Sequence, residues 1–332
     1  MASWIQPRSS IAPDARFRRT RASGPRGTGR PGARFSGARL HGWRRLTPYP
    51  FVAPVLLLTI AFSVFPLVLV LRRSLYAGNI FDTNLRFAGL ANYRLVFATG
   101  GGHALIVTAV FTAGFVAVCM LLGMVIALLL DVRLPGLAAV RALFVIPLVV
   151  PPVATAFIWF TFFQPNTGLF NRLLNAAGLP QVTLSNATDA IIAVIAFGAW
   201  QYFGEIVLIY LAALKALPRD VIEAASINGA GAWQRLRYIR WPLLRHQTAL
   251  LMVIATLYGL QTFTQIFILT NGGPQGATQT ALYYVYQEAF GLGASGSIGR
   301  ADAMSVILFA ISLVVTIIQI TLVGRSARAA AA

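Results

Sequence analysis

Residues 215–246 read Lys215-Ala-Leu-Pro-Arg-Asp-Val-Ile-Glu-Ala-Ala-Ser-Ile-Asn-Gly-Ala-Gly-Ala-Trp-Gln-Arg-Leu-Arg-Tyr-Ile-Arg-Trp-Pro-Leu-Leu-Arg-His246. This stretch joins two long apolar blocks and carries six cations, Lys215, Arg219, Arg235, Arg237, Arg240 and Arg245. Pro218 stops the block before it. Val221–Ile227 has helical spacing, with Ile222, Ala225 and Ser226 on related faces. Gly229 and Gly231 then interrupt the pattern, and a glycine readily takes the left-handed conformation that ends a helix. Trp233, Leu236, Arg237 and Arg240 resume helical spacing, and Pro242 precedes the next block. The expectation is a helix–turn–helix lying along a membrane face. Its chemistry is sparse. Alanines leave a low profile that a partner's cleft can close around, and Glu223 offers one carboxylate to a partner's arginine. That suits a docking surface better than an active site. The alternative is a helix that merely rests on lipid, but such a helix needs a strongly apolar face, which this one lacks.

Working outward, six apolar blocks appear: Tyr49–Leu71, Ala104–Leu130, Leu143–Phe163, Ala190–Leu214, Thr248–Leu269 and Ala303–Val323. Each has at least 21 residues, and about 20 in helix cross a hydrocarbon core. Among them only Glu205 is formally charged. Charged residues are 11% of the chain, against about 25% in soluble domains, so a soluble globular class is excluded. A cleaved leader fits poorly, because 48 residues precede the first block. The fold expected is an all-α membrane protein with six spans over residues 46–325. The third span contains Pro147, Pro151 and Pro152, which remove backbone donors and bend or break it.

Net charge is +18, unevenly spread. With the N-terminus in the cytoplasm, 21 of 27 basic residues fall inside and 6 outside, so the positive-inside rule puts both termini in the cytoplasm. Arg72 and Arg73, just past the first span, are a local exception. Residues 1–45 are rich in Arg, Gly, Ser and Pro without apolar period and read as a disordered cytoplasmic tail. Its arginines read as lipid-touching topology determinants rather than as a nucleic-acid site.

Catalytic chemistry is not legible. Cys119 is the single cysteine, so neither an intrachain disulfide nor a Cys-based metal site can form. His41, His103 and His246 fall in different loops. A P-loop needs a lysine after a glycine-rich run, whereas the one lysine, Lys215, follows Ala-Leu. The chain reads as non-enzymatic, with no cofactor of its own. Asn186-Ala-Thr188 is a glycosylation sequon, a pattern short enough to arise by chance.

Candidate pathway residues lie in the spans. An ionisable residue there is costly and marks function by default, which singles out Glu205. Span 5 carries Tyr258, Gln261, Thr262, Thr264 and Gln265; Tyr258, Thr262 and Gln265 recur every three or four residues, as do Gln261 and Gln265. Such a stripe faces protein or water, and it suits either a sugar path or helix–helix hydrogen bonding. A proton-coupled secondary transporter centred on Glu205 is the alternative from another class, although no second charge and no internal repeat accompany it.

The spacing Glu223-Ala224-Ala225, then Gly229, Ile239 and Pro242 resembles the E-A-A-x3-G-x9-I-x-L-P loop of permease subunits in ATP-binding-cassette (ABC) importers. Asn228 stands where an aspartate is common, and Trp241 where a leucine is. The likeness runs over residues 47–325. Tyr49-Pro-Phe-Val-Ala-Pro54, Gly89-Leu-Ala-Asn-Tyr93, Arg141-Ala-Leu-Phe-Val-Ile-Pro147 with Trp159, Gly168-Leu-Phe-Asn171, and Leu269-Thr-Asn-Gly-Gly-Pro274 with Thr278 are similar to the carbohydrate group, which includes maltose-type and glycerol-3-phosphate-type permeases. The resemblance implies the ABC type I importer permease fold in a bacterial inner membrane. It implies a second permease subunit, two ATPase subunits that use ATP and Mg, and an external substrate-binding protein. It also implies that the loop around Glu223 and Gly229 inserts into an ATPase cleft, and that the cargo is a sugar or a polyol phosphate such as glycerol 3-phosphate.

Overall fold

The computed structural model describes residues 49–78, 85–132, 136–291 and 297–331, with side chains over the same residues except 49–51, 219 and 323–331. The expected disordered tail, residues 1–45, lies outside them. Contacts divide the chain into two units, Met1–Leu57 and Leu58–Ala332. Of the first, the described part is helical; everything that follows concerns the second unless a span is named across both.

Among the described residues, five helices are long and apolar enough to cross a membrane: span 1 (Val52–Arg73), span 2 (Gly101–Leu130), span 4 (Ala187–Ala216), span 5 (Ala232–Leu260) and span 6 (Ile298–Leu322). The remaining block is a pair of helices, Leu137–Val149 and Pro152–Phe162, bent by 97°. The expected span 3 over 143–163 is therefore broken. Val150 and Pro151 are both extended (φ −74°, ψ 137° and φ −55°, ψ 126°), because each precedes a proline whose Cδ clashes with a helical neighbour. Pro147 is accommodated inside the first half.

The core is built around span 4, which packs on span 2 and on the first half of the bent pair. Lipid is as apolar as leucine, so shape and small residues, rather than burial from water, hold such helices together. Phe111 and Phe115 of span 2 stack at 5.9 Å, and Phe115 meets Tyr202 edge-on at 6.0 Å. Trp159 of the second half of the bent pair meets Phe197 and Trp200 of span 4, each at 5.4 Å. Phe144 of the first half meets Phe203 at 5.8 Å. Gly204 sits where that half crosses span 4, and its missing side chain leaves room for the Phe144 carbonyl.

Span 5 corrects a second expectation. The reading over 248–269 places Pro242 ahead of the helix; instead the helix runs from Ala232 to Leu260 with Pro242 inside it. A π-helical turn at Leu236–Arg240 precedes that proline. The span ends at Gln261, and the chain resumes as a π-helical turn at Ile266–Thr270. The break is tolerable because the Thr280 hydroxyl donates to the freed Thr262 carbonyl at 3.2 Å.

Connections between the spans are held by asparagines that the motifs mark. Asn92 donates to the carbonyls of Ser74 (2.8 Å) and Tyr76 (2.9 Å), tying the helix Ala91–Ala98 to the end of span 1 and to a small hairpin, Tyr76–Ala77 with Arg86–Phe87. Arg72 lies over the Tyr76 ring at 5.9 Å, and Arg73 pairs with Asp302 of span 6 at 3.1 Å. These contacts account for the two cations past span 1. Asn186 caps span 4, its Oδ1 accepting from Thr188 N (2.9 Å) and Asp189 N (3.1 Å), so the sequon doubles as a helix cap. Tyr283 donates to Asn271 Oδ1 at 2.6 Å; burial raises its phenol above the ordinary value, which keeps it a donor.

Asn171 is the most heavily bonded of these. Its Nδ2 donates to the carbonyls of Phe163 (3.0 Å), Gln164 (3.3 Å) and Val182 (3.0 Å), and its Oδ1 accepts from Val182 N (2.9 Å). The residue is fully buried. Asn171→Ala strands several buried groups and is expected to destabilise the permease by about 3 kcal/mol, read as a lower melting temperature in detergent. An unchanged melt would show that water replaces the amide at no cost.

Candidate functional site

The loop 215–246 folds as expected into two helices and a turn. The first helix, Arg219–Ile227, has Pro218 before it and Asp220 in its first turn, where a carboxylate opposes the positive helix end. It ends on Asn228, and Gly229 follows with φ +80°. Gly229 N donates to Ser226 O at 3.1 Å and Ala230 N to Ala225 O at 2.9 Å, the paired bonds of a Schellman ending. Asn228 Nδ2 also donates to Ala224 O at 2.9 Å. An aspartate there would offer no donor and would place a negative charge against the negative helix end, so the departure from the family pattern is locally consistent. The second helix starts at Gly231, whose N–H donates to Gln234 Oε1 at 2.8 Å. Arg235 bonds to Ser226 Oγ across the turn, which fixes one helix against the other.

Glu223 and Ala224 are exposed, Ala225 and Ile239 are half-buried, and Pro242 is exposed. Glu223 has no partner among the described side chains. At the turn itself a shallow cleft of about 360 Å³ is lined by Asn228, Gly229, Ala230, Gln234, Tyr238 and Ile239. Ile227 (86%), Tyr238 (73%) and Trp233 (71%) are largely exposed, and large apolar side chains left exposed mark a surface that meets a protein or a membrane. Sequence reasoning used Trp233 and Ile227 only to mark helical spacing and passed over Tyr238; their size, in an otherwise small and basic loop, was the available signal.

The loop is anchored to the end of span 2, which also holds the bent pair. Arg240 pairs with Asp131, the residue after span 2, at 3.4 Å. Arg141, in the first half of the bent pair, donates from Nη2 to Leu130 O at 2.9 Å. Both cations meet the negative end of span 2. Because Ala232–Leu260 is continuous, the second loop helix and span 5 form one rod.

The pathway residues separate into two groups. Tyr258 donates to Glu205 Oε2 at 3.3 Å, and the Tyr202 ring lies 4.7 Å from the Tyr258 ring. Glu205 and Tyr202 are half-buried and Tyr258 is 38% exposed. Tyr202 completes the set; it lies three residues before Glu205 on the same helix face, a spacing that the sequence carries. Gln265 and Gln261 do not join it. Gln265 is buried, hydrogen-bonded to Thr262 and close to Gly198, and Gln261 is exposed at the end of span 5. The expected single polar stripe is divided by the helix break at 261.

Among the described residues, no group of three or more His, Cys, Asp or Glu can hold a metal ion.

Residues 119–328 match the family described as binding-protein-dependent transport system inner membrane component. The chain is 32% identical over 283 residues to the sn-glycerol-3-phosphate transport system permease protein UgpA of Agrobacterium fabrum, covering 85% of this chain and 96% of that protein. It is 32% identical over 282 residues to the trehalose/maltose transport system permease protein MalF of Thermococcus litoralis, covering 84% and 94%. These relatives are transport permease subunits. The fold is similar to a chain in the crystal structure of a bacterial ABC transporter involved in the import of the acidic polysaccharide alginate, with a TM-score of 0.73 and 20% identity, covering 85% of this chain and 98% of that one. A family match over most of the chain, together with relatives of this similarity along nearly their whole length, leaves one conclusion: the chain belongs to the family of binding-protein-dependent transport system inner membrane components.

Proposed function

We propose that this chain is one of two permease subunits of an ABC importer in a bacterial inner membrane, moving a neutral sugar delivered by an external binding protein. The observation that carries the reading is the exposed loop turn, self-supported by its own hydrogen bonds, with Glu223 and three large apolar side chains turned outward. ATPase subunits, which hold the ATP and Mg, close around the helix Arg219–Ile227. Their closure moves the rod formed by the second loop helix and span 5, and the Arg240–Asp131 and Arg141–Leu130 contacts carry it to span 2 and the bent pair. Both termini lie in the cytoplasm, as the distribution of cations favours. Membership of a binding-protein-dependent family supports ATP-driven import over proton coupling through Glu205.

The Glu205, Tyr258 and Tyr202 set supports a sugar as cargo. Phenol rings stack on sugar faces, and a carboxylate accepts from hydroxyls in strong, charge-assisted bonds. An anionic phosphate would meet repulsion at Glu205, and the six apolar blocks contain no arginine. Glycerol 3-phosphate is the second reading, favoured by the name of the UgpA relatives.

Affinity capture from native membranes tests the assembly: recovery of a P-loop ATPase and a second permease supports the reading, and recovery of this chain alone overturns it. Uptake separates the cargoes. For a neutral sugar, Glu205→Ala lowers uptake by about tenfold, the weight of one charged hydrogen bond, and Tyr258→Phe lowers it less. For glycerol 3-phosphate the same loss of charge raises uptake.

A further inference from the structure

We infer that a cleft between spans 5 and 6 binds one anionic phospholipid of the surrounding bilayer. The cleft measures about 270 Å³ and is lined by Trp241, Arg245, Thr248, Ala249 and Met252 of span 5 and by Gln319 and Leu322 of span 6. The five span 5 residues lie on one helix face and form one stripe. Chemistry changes along it in the order of a phospholipid. Trp241 and Arg245, an aromatic and a cation, stand at the end nearest the basic loop, where membrane proteins meet headgroups. Thr248, Ala249, Met252 and Leu322 follow; the Thr248 hydroxyl donates to Leu244 O at 3.0 Å, and the other three offer apolar surface for an acyl chain. At the far end Gln319 Nε2 donates to Thr256 Oγ1 at 2.9 Å, holding the two helices together and closing the cleft. Leu250, Ile254 and Ile318 flank it as exposed apolar side chains, so its rim is continuous with surface that suits hydrocarbon.

Charge selects the headgroup. The helix Ala232–Leu260 contains Arg235, Arg237, Arg240 and Arg245 and no acidic residue. Asp131 pairs with Arg240. Arg237 and Arg245 are exposed, and they lie on either side of Trp241 at four-residue spacing. Basic pockets between spans next to a membrane surface favour anionic lipid, each cation adding about 1 kcal/mol near that surface. The lipid would sit on the same rod that carries the loop turn, at the joint between loop and span.

Native mass spectrometry of the assembled transporter, taken from nanodiscs of mixed phosphatidylglycerol and phosphatidylcholine, tests this. One phosphatidylglycerol per copy should be retained in preference to phosphatidylcholine. Arg245→Gln should lower that retention about fivefold, the weight of one cation, and Arg245→Lys should preserve most of it. Ala249→Trp fills the apolar part and should expel the lipid whatever the charge. Equal retention of the two lipids, or undiminished phosphatidylglycerol in Arg245→Gln, overturns the proposal. So does a disulfide from Met252→Cys to a cysteine on the second permease, which would place a protein surface in the cleft.

Discussion

Gly204→Ala is expected to lower the yield of folded permease and its melting temperature sharply, although it adds one methyl group. A Cβ at Gly204 would fall inside the van der Waals sphere of the Phe144 carbonyl oxygen. That atom is backbone, so no rotamer change relieves the overlap, and the first half of the bent pair must move off span 4. Overpacking costs about 1–3 kcal/mol where side chains can adjust; here they cannot, and the effect belongs at the upper end or beyond. The shift would also displace Phe144 from Phe203 and disturb Arg141, which holds the end of span 2. Gly102→Ala is the contrast. Its Cβ would meet only Phe97 at an ordinary 3.5 Å, and a helical alanine is favoured over glycine by about 1 kcal/mol. Thermal melting of both variants in detergent decides: equal melting temperatures would mean that the span 4 crossing is loose.

Glu223→Lys is expected to abolish ATP-driven uptake and capture of the ATPase while leaving the permease as stable as before. Glu223 is exposed and bonds to none of the described side chains, so the fold loses little. A lysine turned toward a basic partner replaces attraction with repulsion, and truncating or reversing one side of a buried charge pair costs about 2–5 kcal/mol, a loss of affinity of at least tenfold. Gly229 separates strain from docking. Its φ of +80° penalises most side chains, yet a Cβ there meets nothing within 4 Å. Gly229→Asn should fold well, because asparagine tolerates the left-handed region. Gly229→Val should cost about 1–2 kcal/mol in the isolated permease. Loss of ATPase binding in Gly229→Asn without loss of stability would show that the open space over Gly229 is where the partner sits. Full uptake in both Glu223→Lys and Gly229→Asn would remove this loop from the coupling route.

The presence and order of the apolar blocks, though not their exact ends, were legible because they depend on local composition: a helix in hydrocarbon needs about 20 apolar residues whatever its neighbours do. The turn at Gly229 was legible for the same reason, since a glycine after a short helix is a local signal. The asparagines were legible only as motif letters. Asn171 reaches Val182 eleven residues on, and Asn92 reaches back to Ser74; neither partner is fixed by periodicity.

By itself the sequence determined the membrane class, the number of apolar blocks, the exposed turn around Gly229 and the absence of a P-loop in the chain. Tertiary structure decided the rest. It turned the prolines at 151 and 152 into a 97° bend, moved the end of span 5 back to Leu260, and divided the polar stripe there. It also chose which polar residues meet. Glu205 and Tyr258 are 53 residues apart and on different spans, while Gln265 turns inward to Thr262. Periodicity names the face of a helix that a residue occupies, but the rotation and depth at which two helices pack are set by side-chain shape on both, and only packing brings one face opposite another.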